Sequence, residues 1–84
     1  MSTPLLEYDE SVDAAYLAFS DGEWSRQERL DDARAVNYSA DGSVIGVELL
    51  SPRRKGVLVE GLPHANEIAR VMRSVGFRIL ETAR

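Results

Sequence analysis

Three carboxylates, Asp9, Glu10 and Asp13, fall around one short turn. Oxygen clusters of this kind are what hard cations such as calcium and magnesium take as ligands. The spacing lacks the glycine at position six and the glutamate at position twelve of an EF-hand loop. Turn chemistry is therefore the preferred reading, with Asp9 and Asp13 accepting backbone N–H bonds. Glu48 interrupts an apolar strand, and a buried, unpaired carboxylate there could serve as a general acid or base. The preferred reading is a solvent-facing or interface residue paired across strands with an arginine such as Arg34. His64 is the only histidine. It has no Cys or second His with which to bind zinc, and no Ser-His-Asp set is visible, so a surface position at a helix start is expected. Arg53-Arg54-Lys55 could hold a phosphate or an acidic partner, although an ordinary solvated loop is the preferred reading. Trp24, the sole tryptophan, is an interface anchor if exposed and a core residue if buried. No catalytic, cofactor-binding or metal-ligating residue is assigned.

The elements that would position these residues follow from turns and periodicity. Leu5–Asp9 reads as a strand, residues 10–13 as a turn, and residues 14–19 as a second strand closed by Ser20-Asp21-Gly22. Residues 24–30 alternate loosely and read as a strand ending at Asp31-Asp32. Residues 33–38 and 44–50 flank Asp41-Gly42, a strong hairpin signal because Gly accepts positive φ without a Cβ clash. Residues 51–56 read as a polar break and 57–60 as a last strand. The period then changes. Ala65, Ile68, Ala69, Val71, Met72 and Val75 share one helical face. Pro63 suits the first helical turn, Glu67 complements the dipole, and Gly76 with Phe77 suits a Schellman-type stop. Residues 77–80 are expected to run back along the sheet as an extended tail. The expected fold is α+β: an antiparallel β-meander of four to five strands with one C-terminal helix on one face, in a single domain over residues 1–84.

A sheet with one wet face alternates cleanly between apolar and polar residues. These strands do not. Ala14, Tyr16 and Ala18 oppose Ala15, Leu17 and Phe19, while Val44 and Leu50 oppose Ile45, Val47 and Leu49. One helix covers one face, so something must cover part of the other. A second copy of the chain, as a homodimer, is the preferred cover. The alternative is that Trp24, Leu30, Phe77 and Ile79 fold over that face within one chain.

Composition narrows the functional classes. With 84 residues the core is thin. The absence of Cys excludes disulfides and thiolate metal sites. No basic and apolar leader and no run of about 20 apolar residues is present, which makes a cytoplasmic, non-membrane protein the expectation. Residues 1–32 carry net −7 and residues 33–84 net +3, for a total of −4. An acidic total argues against general nucleic-acid binding.

Tyr8-Asp9, then Asp13-Ala14-Ala15-Tyr16-Leu17, then Asp41-Gly42-Ser43-Val44-Ile45-Gly46-Val47-Glu48-Leu49-Leu50 resemble the small bacterial domain known as domain of unknown function 2283. The similarity spans about residues 7–51. Asn37 stands where that family often has an acid, and residues 56–84, read as strand, helix and tail, extend beyond its usual core. The resemblance implies a compact β-meander and no established enzyme activity or cofactor. The leading expectation is therefore a non-enzymatic protein-interaction module that self-associates. An antitoxin-like partner of a small toxin is an alternative by analogy. A metal-dependent or hydrolase-like activity using Asp9, Asp13 or Glu48 is a further alternative.

Overall fold

The strand with the most apolar residues lies at the centre of the sheet. In the computed structural model, which describes residues 3–80, the elements are β1 (Leu5–Asp9), β2 (Ala14–Ala18), β3 (Arg26–Asp31), β4 (Arg34–Tyr38), β5 (Val44–Leu50), α1 (Pro52–Lys55), β6 (Val57–Leu58), α2 (Ala65–Ser74) and β7 (Ile79–Leu80). The five-stranded sheet has the order β1-β2-β5-β4-β3 and is antiparallel throughout. Chain neighbours pair within the β1–β2 hairpin and the β3–β4–β5 meander. The two units join where β2 pairs with β5 rather than with β3.

The Asp41-Gly42 turn closes β4 onto β5. Gly42 has φ 87°. The Asp41 carboxylate accepts bonds from the Ser39 hydroxyl and from the hydroxyl and backbone N–H of Ser43. These bonds, the Ser39 hydroxyl foremost, hold its pKa down to about 2.

One face of the sheet carries the core. Ala15 and Leu17 of β2, Val36 of β4, and Val47 and Leu49 of β5 pack with Ile68 and Met72 of α2 and with Val57, Leu62 and Phe77. Leu17, Val47, Ile68 and Met72 are fully buried, and each such side chain contributes about 1.5–3 kcal/mol of transfer free energy. Within α2, Ile68 and Met72 are buried and Ala65, Ala69 and Val71 half-buried, while Val75 is exposed. The helix ends as expected: Phe77 N–H bonds to Met72 O and Gly76 N–H to Arg73 O, each at 3.0 Å, with Gly76 at φ 94°. This is the Schellman pattern, and both Met72 and Phe77 enter the core.

Four expectations are corrected. Residues 52–55 of the polar break form a short helix, because Pro52 has a φ suited to the first turn and the amides of Arg53 and Arg54 find an acceptor in Asp13. The expected strand over 57–60 shrinks to Val57–Leu58. The tail does not run along the main sheet: Ile79–Leu80 pairs in parallel with Val57–Leu58 as a separate two-stranded sheet, and residues 81–84 of the expected tail lie outside the described residues. Pro63 precedes the helix rather than opening it, since His64 is the N-cap, at φ 56°. Among the described residues no helix is long and apolar enough to cross a membrane.

Candidate functional site

The sheet face turned away from α2 is built from three rows that the strand register places side by side. The first is Leu5, Ala18, Gly46, Asn37 and Gln27. The second is Glu7, Tyr16, Glu48, Ala35 and Arg29. In the third, Asp9, Ala14 and Leu50 lie in register, and Leu50 N–H bonds to Ala33 O at 2.8 Å. Successive residues of a strand point to opposite faces. The row members therefore face one side and the core residues between them face the other.

At its centre this open face carries a polar network over small residues. The tip of the Tyr16 ring lies directly above Gly46, in space that a Cβ at position 46 would occupy. Asn37 Nδ2 donates to Tyr16 Oη at 3.4 Å, Gln27 Nε2 to Asn37 Oδ1 at 2.9 Å, and Gln27 Nε2 to Glu48 Oε1 at 3.3 Å. Arg29 Nη2 lies 3.5 Å from Glu48 Oε1. That ion pair is solvent-exposed and contributes at most about 1 kcal/mol, so the network orders the face more than it stabilises it. Ala35 beneath it is fully buried. Toward β1 the face becomes acidic: Glu7, Asp9, Glu10 and Glu48 surround a depression of about 500 Å³ floored by Ala14 and Tyr16.

Among the described residues no element covers this face. Phe77 and Ile79, proposed as cover, pack on the core side instead. Trp24 is 58% exposed and Leu30 36%. Trp24 is thus a surface residue, the reading in which it is available as an anchor. Val44 also leaves the open face; it packs against the core beside Tyr38, where the β4–β5 register shifts.

The remaining candidate residues are separated by the fold. Glu48 is solvent-facing and paired, but with Arg29 and not Arg34. Arg34 lies on the opposite face, where it bonds Asp31 Oδ2 at 2.9 Å and the carbonyls of Leu58 and Glu60. The turn carboxylates do not converge. Asp9 accepts bonds from the Ser11 hydroxyl at 2.6 Å and the Ser11 N–H at 3.0 Å, and the hydroxyl bond chiefly lowers its pKa. Asp13 accepts from Tyr8 Oη at 2.8 Å and from the amides of Arg53 at 3.0 Å and Arg54 at 3.1 Å. Desolvation pushes the Asp13 pKa up, but the Arg53, Tyr8 and Arg54 bonds together outweigh it, and the net shift is downward. Desolvation first, then Asp13 as a hydrogen-bond acceptor, raises the pKa of Tyr8. No group of three or more His, Cys, Asp or Glu able to hold a metal ion occurs among the described residues.

The basic run is not a free loop. The Arg53 guanidinium sits 4.1 Å from the Phe77 ring centroid and 5.7 Å from that of Tyr8. His64 is exposed, as expected, and stacks on Phe19 with centroids 4.6 Å apart. A separate cleft of about 360 Å³ lies beside the β6–β7 pair, lined by Leu50, Val57, Leu58, Leu80, Arg34 and Lys55.

The Tyr16–Gly46–Glu48 grouping unites two of the three segments on which the family resemblance rests, and comparison with known families agrees. The model of the family "Protein of unknown function (DUF2283)" matches residues 6–51. The chain belongs to the DUF2283 family. The matched range contains every open-face residue named above except Leu5, and it stops one residue short of α1. No curated protein and no solved structure matches the chain.

Proposed function

We propose that this DUF2283 chain is a non-enzymatic interaction module whose open sheet face is its working surface, and that it self-associates through that face. One observation carries the reading. The helix, the β6–β7 pair and Phe77 all pack on one side of the sheet, leaving Tyr16, Ala14 and Ala18 on the other side with no covering element of the described chain. Tyr16 belongs to the aromatic class enriched at interfaces, and the Asn37, Gln27, Glu48 and Arg29 side chains beside it offer polar contacts. Five strands about 4.8 Å apart and about 17 Å long make a surface of roughly 400 Å² per subunit. That is about 800 Å² in total, below the standard-size interface and in the range of weak, transient association. Asp9 and Asp13 of the β1–β2 turn are engaged in turn and helix-capping bonds, which lends no geometry to the metal-dependent reading.

The test is solution mass by light scattering from low to high micromolar protein, with Ala18→Arg as the blocking variant. A long charged side chain on this face prevents sheet-on-sheet contact without entering the core. The expected result is a concentration-dependent dimer that Ala18→Arg abolishes while the variant stays folded by circular dichroism. A wild-type monomer throughout the range would sink self-association and leave the face to a different protein, a toxin of the antitoxin-like reading among them.

A further inference from the structure

We propose that the second copy docks open face to open face about a two-fold axis running along β5, so that the partner subunit's Arg29 enters the acidic depression beside Glu7. This rests on the self-association reading and specifies its register.

The sheet order makes β5 the third of five strands. A two-fold rotation about an axis parallel to it lays β1 over β3, β2 over β4 and β5 over its own copy, and each row stays opposite itself. In the row Glu7–Tyr16–Glu48–Ala35–Arg29, Glu7 then meets the partner subunit's Arg29, and Tyr16 faces the polar network that lies over the partner subunit's Ala35, each contact occurring twice. In the neighbouring row Leu50 meets its own copy at the axis. An axis across the strands instead lays β1 over β1. Over the second row it sets Glu7 and Arg29 each against its own copy, and between the second and third rows it sets Glu7 against the partner's Asp9, so charge selects between the two axes.

Three observations suit this register. The Glu7 carboxylate is exposed and makes no hydrogen bond or ion pair among the described residues. It stands on the wall of a depression lined by Asp9, Glu10 and Glu48 as well, with Tyr16 on its floor. A guanidinium finds carboxylates and an aromatic ring together there. Arg29 is the sole cation of the three rows, and its side chain is 46% exposed. Packed sheets lie about 10 Å apart and cross at about 30°. At β1 and β3, roughly 10 Å from the axis, that crossing displaces opposing residues by roughly 5 Å, which glutamate and arginine side chains span. Glu48 faces its own copy at the axis, where Gln27 and Arg29 already hold it.

The experiment is a charge swap read by sedimentation equilibrium on the full chain. Wild type, Glu7→Arg, Arg29→Glu and the double variant are compared, with thermal melts run alongside. Each single variant is expected to weaken dimerisation at least about tenfold, because two opposite-charge contacts become like-charge contacts. The double variant is expected to restore the wild-type constant. If the wild type dimerises and the single variants leave the constant unchanged, or the double variant fails to restore it, this register is overturned while self-association stands. If the wild type is monomeric, the underlying reading fails with it. Glu7→Arg is the cleaner single variant, since Arg29 also touches Glu48 and the Asp31 carbonyl within its own chain.

Discussion

The hydroxyl end of Tyr16 occupies the volume in which any side chain at position 46 would begin, so the ring and the glycine are a matched pair across β2 and β5. Gly46 does not have positive φ. The requirement for glycine there is steric and comes wholly from the neighbouring ring. Gly46→Ala is expected to cost about 1–3 kcal/mol, as overpacking does. Removing the ring in a Tyr16→Ala background is expected to abolish most of that penalty. Urea unfolding of the four proteins in the cycle measures the coupling.

Gly42 is the opposite case. A Cβ there meets nothing within 4 Å, yet its φ is 87°. Gly42→Val is expected to destabilise by about 1–2 kcal/mol through backbone strain alone. Gly42→Asn should cost much less, because Asn tolerates the left-handed region. The two variants differ in conformation and not in contacts, so chemical denaturation of both separates strain from packing.

Acid should unfold the protein partly through two aspartates. Asp13 and Asp41 both have folded-state pKa values below their unfolded value of about 3.9. Each therefore contributes stability that is fully present above that value. The contribution is lost as pH falls through the folded value, about 2 for Asp41. Melting temperature is expected to fall from about pH 4 toward pH 2. The fall should be shallower in Asp13→Asn, whose side chain does not titrate. A slope identical in wild type and variant would remove Asp13 from this account.

Burial separates two core substitutions that look alike in the sequence. Leu49 is 2% exposed beneath α2. Leu49→Asp buries an unpaired charge and is expected to cost more than about 4 kcal/mol, enough to unfold a domain of this size. Val71 belongs to the apolar face of α2 but is only half-buried, so its aspartate variant can turn the carboxylate toward water. A folded Val71→Asp beside an unfolded Leu49→Asp, compared by circular dichroism, is the expected outcome.

The strands and the helix were legible because their signals are local. Asp41-Gly42 sets one hairpin, and the spacing of Ile68 and Met72 sets the buried face of α2. Which arginine meets Glu48 was not legible. It depends on the register that carries Arg29, and not Arg34, onto the open face, and on the shift between Arg29 and Asp31 that no residue type announces. By its local sequence Asp13 is a turn former. Its partners Arg53 and Arg54 lie forty and forty-one residues away, and no short-range pattern reports such a bond. The same holds for β6 and β7, two-residue strands that exist only because tertiary packing brings them together. The Tyr16–Gly46 fit was hidden for a simpler reason: a strand glycine looks identical whether it serves a bulge or an aromatic neighbour.

Asp13 stands inside the segment that the family model matches, and the amides it caps stand outside it. Excised at residue 51, the family segment would keep an aspartate aimed at a helix that is gone, and Leu17, Val47 and Leu49 would face water where Ile68 and Met72 had been. Residues 52–80 are thus not an optional appendage. A shorter relative that lacks them must supply another lid for the same strands, from its own chain or from a neighbour, and must find another partner for the residue at this position.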